Sequence, residues 1–336
     1  MPTTDHESFG NFGWLGHKAE REAKAINYEM GLILDFAQWS EAEDDIDFVE
    51  IFDFPFDEGF AFWPILERVY GKVFPNDNQS VGNCVPYSSC YANLDRIATE
   101  LLIDGDAEAF FVPFVPFSYG AGRVYVGNVS WNTHGSVGSW QIAADMRYGM
   151  LPTDIPGLPI RYEDDIQGTA NTNSIWMKDR GTLDKWKEHA AKLTVGEGSE
   201  VTSFADLKIA VCQKKQPVTI ASNWGFVSSG LDTKYGIVIH RKGGSWAHQM
   251  HIRAVFQIKG QWFVYVANQW GDNAHPKVAE GFVLGGFVIT AELFETWVKE
   301  SECFVRGSIN GRIYRPNFSF IYGNGIVVHK DGYRMY

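Results

Sequence analysis

The sequence predicts an α+β domain, with helices filling the first half of its core and strands the second. Three observations carry this expectation. Windows 84–103, 135–151 and 203–215 combine small and apolar faces with helix start and stop signals. From residue 216 onward, β-branched and aromatic residues gather in short runs broken by turns. The chain has 336 residues and is 45% hydrophobic, enough for one large domain or two subdomains, and this excludes global disorder. Segregated helices and strands point to α+β rather than to an alternating parallel fold.

Taken in order, residues 14–37, "WLGHKAEREAKAINYEMGLILDFA", read as one helix. The segment 41–58, "EAEDDIDFVEIFDFPFDE", holds nine carboxylates and no base, and reads as a solvated strip or a docking surface for a basic partner. Residues 1–75 together look like an N-terminal extension. A helix from Cys84 carries Pro86 in its first turn, where a missing N–H does no harm. "FFVPFVPFSYGAGRVYVGNVSW", residues 110–131, reads as strand and turn, and 135–151 as a second helix ended by Gly149. Residues 160–200 read as a polar insertion with one short helix, 183–193. After a third helix at 203–215 come "QPVTIAS" and then two β-type runs around the turn Lys259-Gly260. Residues 285–309 give strand, short helix and strand. Residues 311–336 form a β-type tail. The expected domain runs over 76–310, with a helical half at 76–160 and a β-rich half at 200–310.

The net charge of −12 and the lack of a dense Lys/Arg run argue against a nucleic-acid partner. No stretch reaches eighteen apolar residues, so no membrane span is expected. The first residues show no basic start followed by an apolar run, so no export signal is read, and the expected location is the cytoplasm or a virus particle. The four cysteines, Cys84, Cys90, Cys212 and Cys303, form no zinc spacing. Cys84 and Cys90 are six apart, about 240° around a helix, and cannot bridge.

Cys84 opens a helix directly after Gly82-Asn83. A thiol attacks only as thiolate, and a helix N-terminus with a neighbouring imidazole favours that form. The backbone N–H of Cys84 and the side chain of Gln79 or Asn78 are candidate donors to an oxyanion. The base should be a distant histidine. His248 follows the glycine-rich "RKGGSWA" and reads as the start of a strand on which Met250, Ile252 and Ala254 share its face, while His251 and Arg253 face away. His251 is the rival base. Asn268, at the end of the next strand, can orient an imidazole, and Trp270 can shield that bond. His248 and His251 lie three apart on a strand, and Asp272 with His275 lacks a third ligand, so no metal or other cofactor is expected.

These residues resemble the papain-like cysteine peptidases, possible phage-type divergent members included. "DNQSVGNC" resembles the family's nucleophile segment, "HQMHIRAVF" its histidine-led strand, and "NQWG" its Asn-Ser-Trp-Gly. "GSVGSWQIAADMRYGMLPTDIPGLP" and "LKIAVCQKKQPVTIAS" are similar to its substrate-side helix and its Pro-Val strand. All five come in family order between about residues 77 and 310. The departures are Asn78 where the family has glutamine, Gln79 where it has glycine, Val85 for the aromatic residue after the cysteine, and Gln269 for serine.

The resemblance implies a two-subdomain fold, a helical half facing a β-barrel-like half, with the cleft between them. It implies hydrolysis of peptide or amide bonds of a peptide or protein substrate by Cys84, His248 and Asn268, with Gln79 or Asn78 at the oxyanion. The alternative is a catalytically weakened papain fold kept as a structural or assembly protein, for instance of a phage virion. The extension could also act as an inhibitory segment removed near residue 70.

Overall fold

The computed structural model describes residues 13–42, 54–74, 76, 79, 82–104, 110–129, 134–158 and 180–311, and the backbone of short strands beyond them. The heart of the acidic strip, 43–53, and Asn78 lie outside the described residues.

The stretch expected as one helix at 14–37 is broken. Helix α1 spans His17–Glu29, strand β1 Ile33–Leu34 and helix α2 Phe36–Ala42. Gly31 sits at φ 68° between them, a left-handed turn that glycine takes without strain and that no helix continues through. Strand β2 is Glu58–Ala61 and helix α3 Trp63–Tyr70, with a proline in its first turn. Helix α4, Cys84–Asp104, is buried on every side from Cys84 through Thr99. Ser88, Ser89 and Ala92 let neighbours approach it closely, so it acts as the central rod rather than as a surface helix.

Residues 115–126 depart from the strand and turn expected over 110–131. Val115–Gly120 form helix α5, which widens into a π-helical stretch over Ala121–Val126. Pro116 stands in the first turn of α5, where its fixed φ suits a helix. Helices α6 (Gly138–Arg147) and α7 (Arg180–Ala190) complete the helical half.

The β-rich half begins with β3 (Thr194–Val195) and β4 (Gly198–Glu200). A short helix α8 (Phe204–Lys208) follows, capped by Ser203, whose side chain accepts from the Asp206 N–H at 3.1 Å. Next come β5 (Val218–Asp232), β6 (Ile237–Ile258), β7 (Gln261–Ala267) and β8 (Gly286–Thr290). Helix α9 is Ala291–Val298 and β9 is Glu302–Val305. The main sheet runs β1-β4-β9-β5-β6-β7-β8, with β2 also paired to β6. Ile239 of β6 pairs with Val288 of β8, so the sheet curls back on itself. Strand β10 (Ile309–Asn310) pairs with β3. Strands β11 (Ile321–Tyr322), β12 (Ile326–His329) and β13 (Gly332–Met335) form a separate antiparallel sheet.

Strand β6 is longer than expected. It includes "RKGGSWA", because Gly225 of β5 and Gly243 of β6 bring the two backbones together: a Cβ on Gly225 would lie 2.5 Å from the Gly243 carbonyl oxygen. His248 is therefore mid-strand, not at a strand start. A register shift against β7 between Ile252 and Ala254 changes the facing. Met250 and Ile252 enter the main core, while Ala254 and Phe256 enter a second core with Trp63, Tyr265 and Phe282. The single apolar row expected behind His248 ends at Ile252.

The halves meet through buried charge. Arg253 of β6 makes a bidentate pair with Asp95 of α4, at 2.9 Å for both bonds. Burial works to raise the Asp95 pKa, but the neighbouring Arg253 and His251 outweigh it and hold the carboxyl below its usual range. Arg306, after β9, pairs with Asp145 of α6.

Candidate active site

The first turn of α4 presents Cys84 to β6. Its Sγ accepts from the backbone N–H of Gln249 at 3.4 Å, the residue after His248. The Gln249 side chain reaches one turn along α4 and donates to Ser88 Oγ at 2.8 Å. Helix mouth and strand are thus fastened at the residue that follows His248. His248 Nε2 lies 2.8 Å from Asn268 Oδ1, just past the end of β7. The ring stacks on Trp270, centroids 4.7 Å apart and planes 27° apart. Asn268 Nδ2 lies 3.0 Å from His275 Nε2. Cys84, His248 and Asn268 are all fully buried.

The rival base is engaged elsewhere. His251 Nδ1 lies 2.9 Å from Gln269 Nε2, and its Nε2 is 3.5 Å from Asp95 Oδ2. Burial lowers its pKa despite the carboxylate. Asn268 and Gln269 thus serve one histidine each, on opposite faces of β6. Gln79 is tied in through its backbone N–H, which donates to the Gln269 carbonyl at 2.9 Å. Among the described residues no group of three or more His, Cys, Asp or Glu side chains is arranged to hold a metal ion.

Several contributors escape a reading of the sequence. Residues 13–15 lie across the site. The Leu15 N–H donates to the Ser136 carbonyl at 2.9 Å and the Ser136 N–H to the Gly13 carbonyl at 2.6 Å, while the Trp14 N–H points at the Ala247 carbonyl at 3.4 Å. A Cβ on Gly13, whose φ is 110°, would lie 2.3 Å from the Gly82 carbonyl carbon, so only glycine packs this close to the turn before Cys84. Trp14 and Cys84 share one apolar cluster with Val85 and Val137. In this closed arrangement burial pushes the Cys84 thiol up to about 12, well out of the thiolate range.

Beneath the turn, Tyr119 Oη donates to the Gly82 carbonyl and accepts from the Gly135 N–H, both at 2.8 Å. Asn83 is fully buried, and its side-chain amide has no hydrogen-bond partner among the described residues. Its N-cap place explains part of this, because Pro86, three residues on, lacks the N–H such a side chain ordinarily takes. That spacing was the one signal in the sequence. The strap at 13–15 and the Tyr119 clamp have none, since their partners lie far along the chain.

No family model matches the chain, and no curated protein does. Similar solved structures include xylellain, a cysteine protease from Xylella fastidiosa, at 16% identity and a TM-score of 0.48, covering 79% of this chain and 95% of that one. Procathepsin B from Trypanosoma congolense is 12% identical with a TM-score of 0.48, covering 87% and 98%. Digestive procathepsin L 3 of the Tenebrio molitor larval midgut is 12% identical with a TM-score of 0.46, covering 85% and 87%.

Proposed function

We propose that the chain hydrolyses peptide or amide bonds through a Cys84 thiolate, and that residues 13–15 hold it closed. The observation that carries this reading is the 2.8 Å His248–Asn268 bond under Trp270, set one residue from the backbone N–H that meets the Cys84 sulfur. In the working state, His248 Nδ1, on the ring edge opposite Asn268, takes the Cys84 proton. The sulfur bonds to the substrate carbonyl carbon, and the oxyanion receives the Cys84 N–H. The amine leaves with the proton from His248. Water then attacks the acyl-sulfur bond, gives its proton to His248, and frees the acid and the thiol. Asn268 orients the ring throughout. Gln79 and Asn78 remain the candidate second oxyanion donors, with Gln79 anchored beside Asn268 by its backbone.

The closed state is what a second reading would also need. A fully buried Cys84 with a thiol pushed up to about 12 suits a fold kept for assembly rather than chemistry. The experiment that separates the two is Gly13→Ala, which removes the fit against Gly82. Hydrolysis of a fluorogenic peptide mixture by that variant, abolished by Cys84→Ala, supports the hydrolase. An opened chain whose Cys84 reacts with an epoxide no faster than a free thiol, and does so equally with His248→Ala, ends it.

A further inference from the structure

We infer that His275 is a positioning residue: by accepting from Asn268 Nδ2 it fixes which end of that amide faces His248. Its meaning for catalysis rests on the hydrolase reading above. The geometric claim does not.

A side-chain amide has one accepting and one donating end, and a neutral imidazole has one nitrogen of each kind. Asn268 sits between two imidazoles, with Oδ1 2.8 Å from His248 Nε2 and Nδ2 3.0 Å from His275 Nε2. Only two proton arrangements satisfy all three groups. In the first, His275 Nε2 accepts, Oδ1 faces His248, the His248 Nε2–H donates, and His248 Nδ1 carries a lone pair. In the second, every role reverses: the His275 Nε2–H donates, Nδ2 faces His248, and the His248 proton sits on Nδ1. Only the first leaves Nδ1 able to take a proton. The tautomer of His275 therefore selects that of His248.

The surroundings of His275 suit an uncharged acceptor. Its ring lies 4.9 Å from Phe287 and 6.3 Å from Trp270, centroid to centroid. Among the described residues, the titratable groups facing it are His240, 5.5 Å away and T-shaped, and His248 across the amide. Burial lowers the His275 pKa to about 3, with both histidines adding repulsion. A charged His275 would donate from both nitrogens and could not accept from Nδ2.

The test reads tautomers by nitrogen NMR of the full chain labelled with 15N-histidine, alongside two variants. His275→Glu places an accepting oxygen near the Nε2 position, and His275→Phe offers neither donor nor acceptor. His248 is expected as a single Nε2–H tautomer in the unsubstituted chain and in His275→Glu, and as a mixture in His275→Phe. A Nδ1–H form of His248 in the unsubstituted chain overturns the inference. So does a folded His275→Phe that keeps the pure Nε2–H form. Should His275→Phe not fold, the unsubstituted chain and His275→Glu decide. The readout needs no turnover, so expected tautomers in a protein whose opened Gly13→Ala form cleaves nothing sink the hydrolase and leave the role of His275 standing.

Discussion

The backbone N–H of Trp14 meets the carbonyl of Ala247 at 3.4 Å, at the residue just before His248. Together with the Ser136 bridge, this contact makes the amino-terminal strap an occupant of the site. Gly13→Ala is therefore expected to raise the alkylation rate of Cys84 by iodoacetamide at neutral pH. The check is the labelled fraction of the Cys84 peptide by mass spectrometry over time. An unchanged rate means the strap does not control access.

In the intact chain the same labelling should keep climbing roughly tenfold per pH unit past 9.0, the ordinary thiol value, and level off only near 12, because only the thiolate reacts and burial pushes this thiol up to about 12. In Gly13→Ala it should level off at a lower pH. Parallel rate profiles for the two chains would mean that the sulfur meets the same surroundings in both.

His240 is buried on β6, and burial lowers its pKa from 6.5 to about 4. The unfolded chain takes up that proton near pH 6.5, whereas the folded chain waits until about 4. Between those values the unfolded state holds more protons, so stability is full above the upper value and falls as pH drops. The slope from this one group is at most about 1.4 kcal/mol per pH unit. Urea midpoints at pH 7 and pH 5 should differ in the unsubstituted chain and differ less in His240→Phe.

Asp95 and Arg253 are both buried and joined by two bonds. Arg253→Met leaves a carboxylate without its charge partner and should cost about 3–5 kcal/mol in urea denaturation. The double variant with Asp95→Leu should recover much of that loss. Additive losses in the two single variants would show the pair to be uncoupled.

Asn83→Ala should leave the thermal midpoint unchanged or raise it. A buried amide left without a bond costs about 1–3 kcal/mol, and alanine removes the polar atoms. A clear drop in the midpoint would mean that the side chain has a bonding role.

What the sequence revealed of this site follows from short-range geometry. Asn268 and Gln269 are neighbours, and strand alternation puts their partners His248 and His251 on opposite faces, so the pairing of each histidine with its own amide was already implicit in "HQMH" and "NQWG". Alternation failed at Arg253, where a bulge that no residue type announces turned Ala254 into the other core. Propensity failed at 115–126, where Pro116 and three valines sit in a helix buried enough to override their local preferences. The roles of Gly13, Trp14 and Tyr119 depend on partners far along the chain, and neither spacing nor periodicity encodes such pairs.

The Glu20 carboxylate is wholly enclosed. It accepts from the Trp14 indole N–H at 3.1 Å and from the Gly138 and Ser139 amides at 2.8 and 2.6 Å, at the front of α6. This latch lies on the carboxyl side of the strap. Exoproteolytic trimming that stops short of Gly13 would leave the bolt shot. Unlocking then calls for a blow at the hinge around residues 15–17, or for a competitor that lifts the indole off its carboxylate.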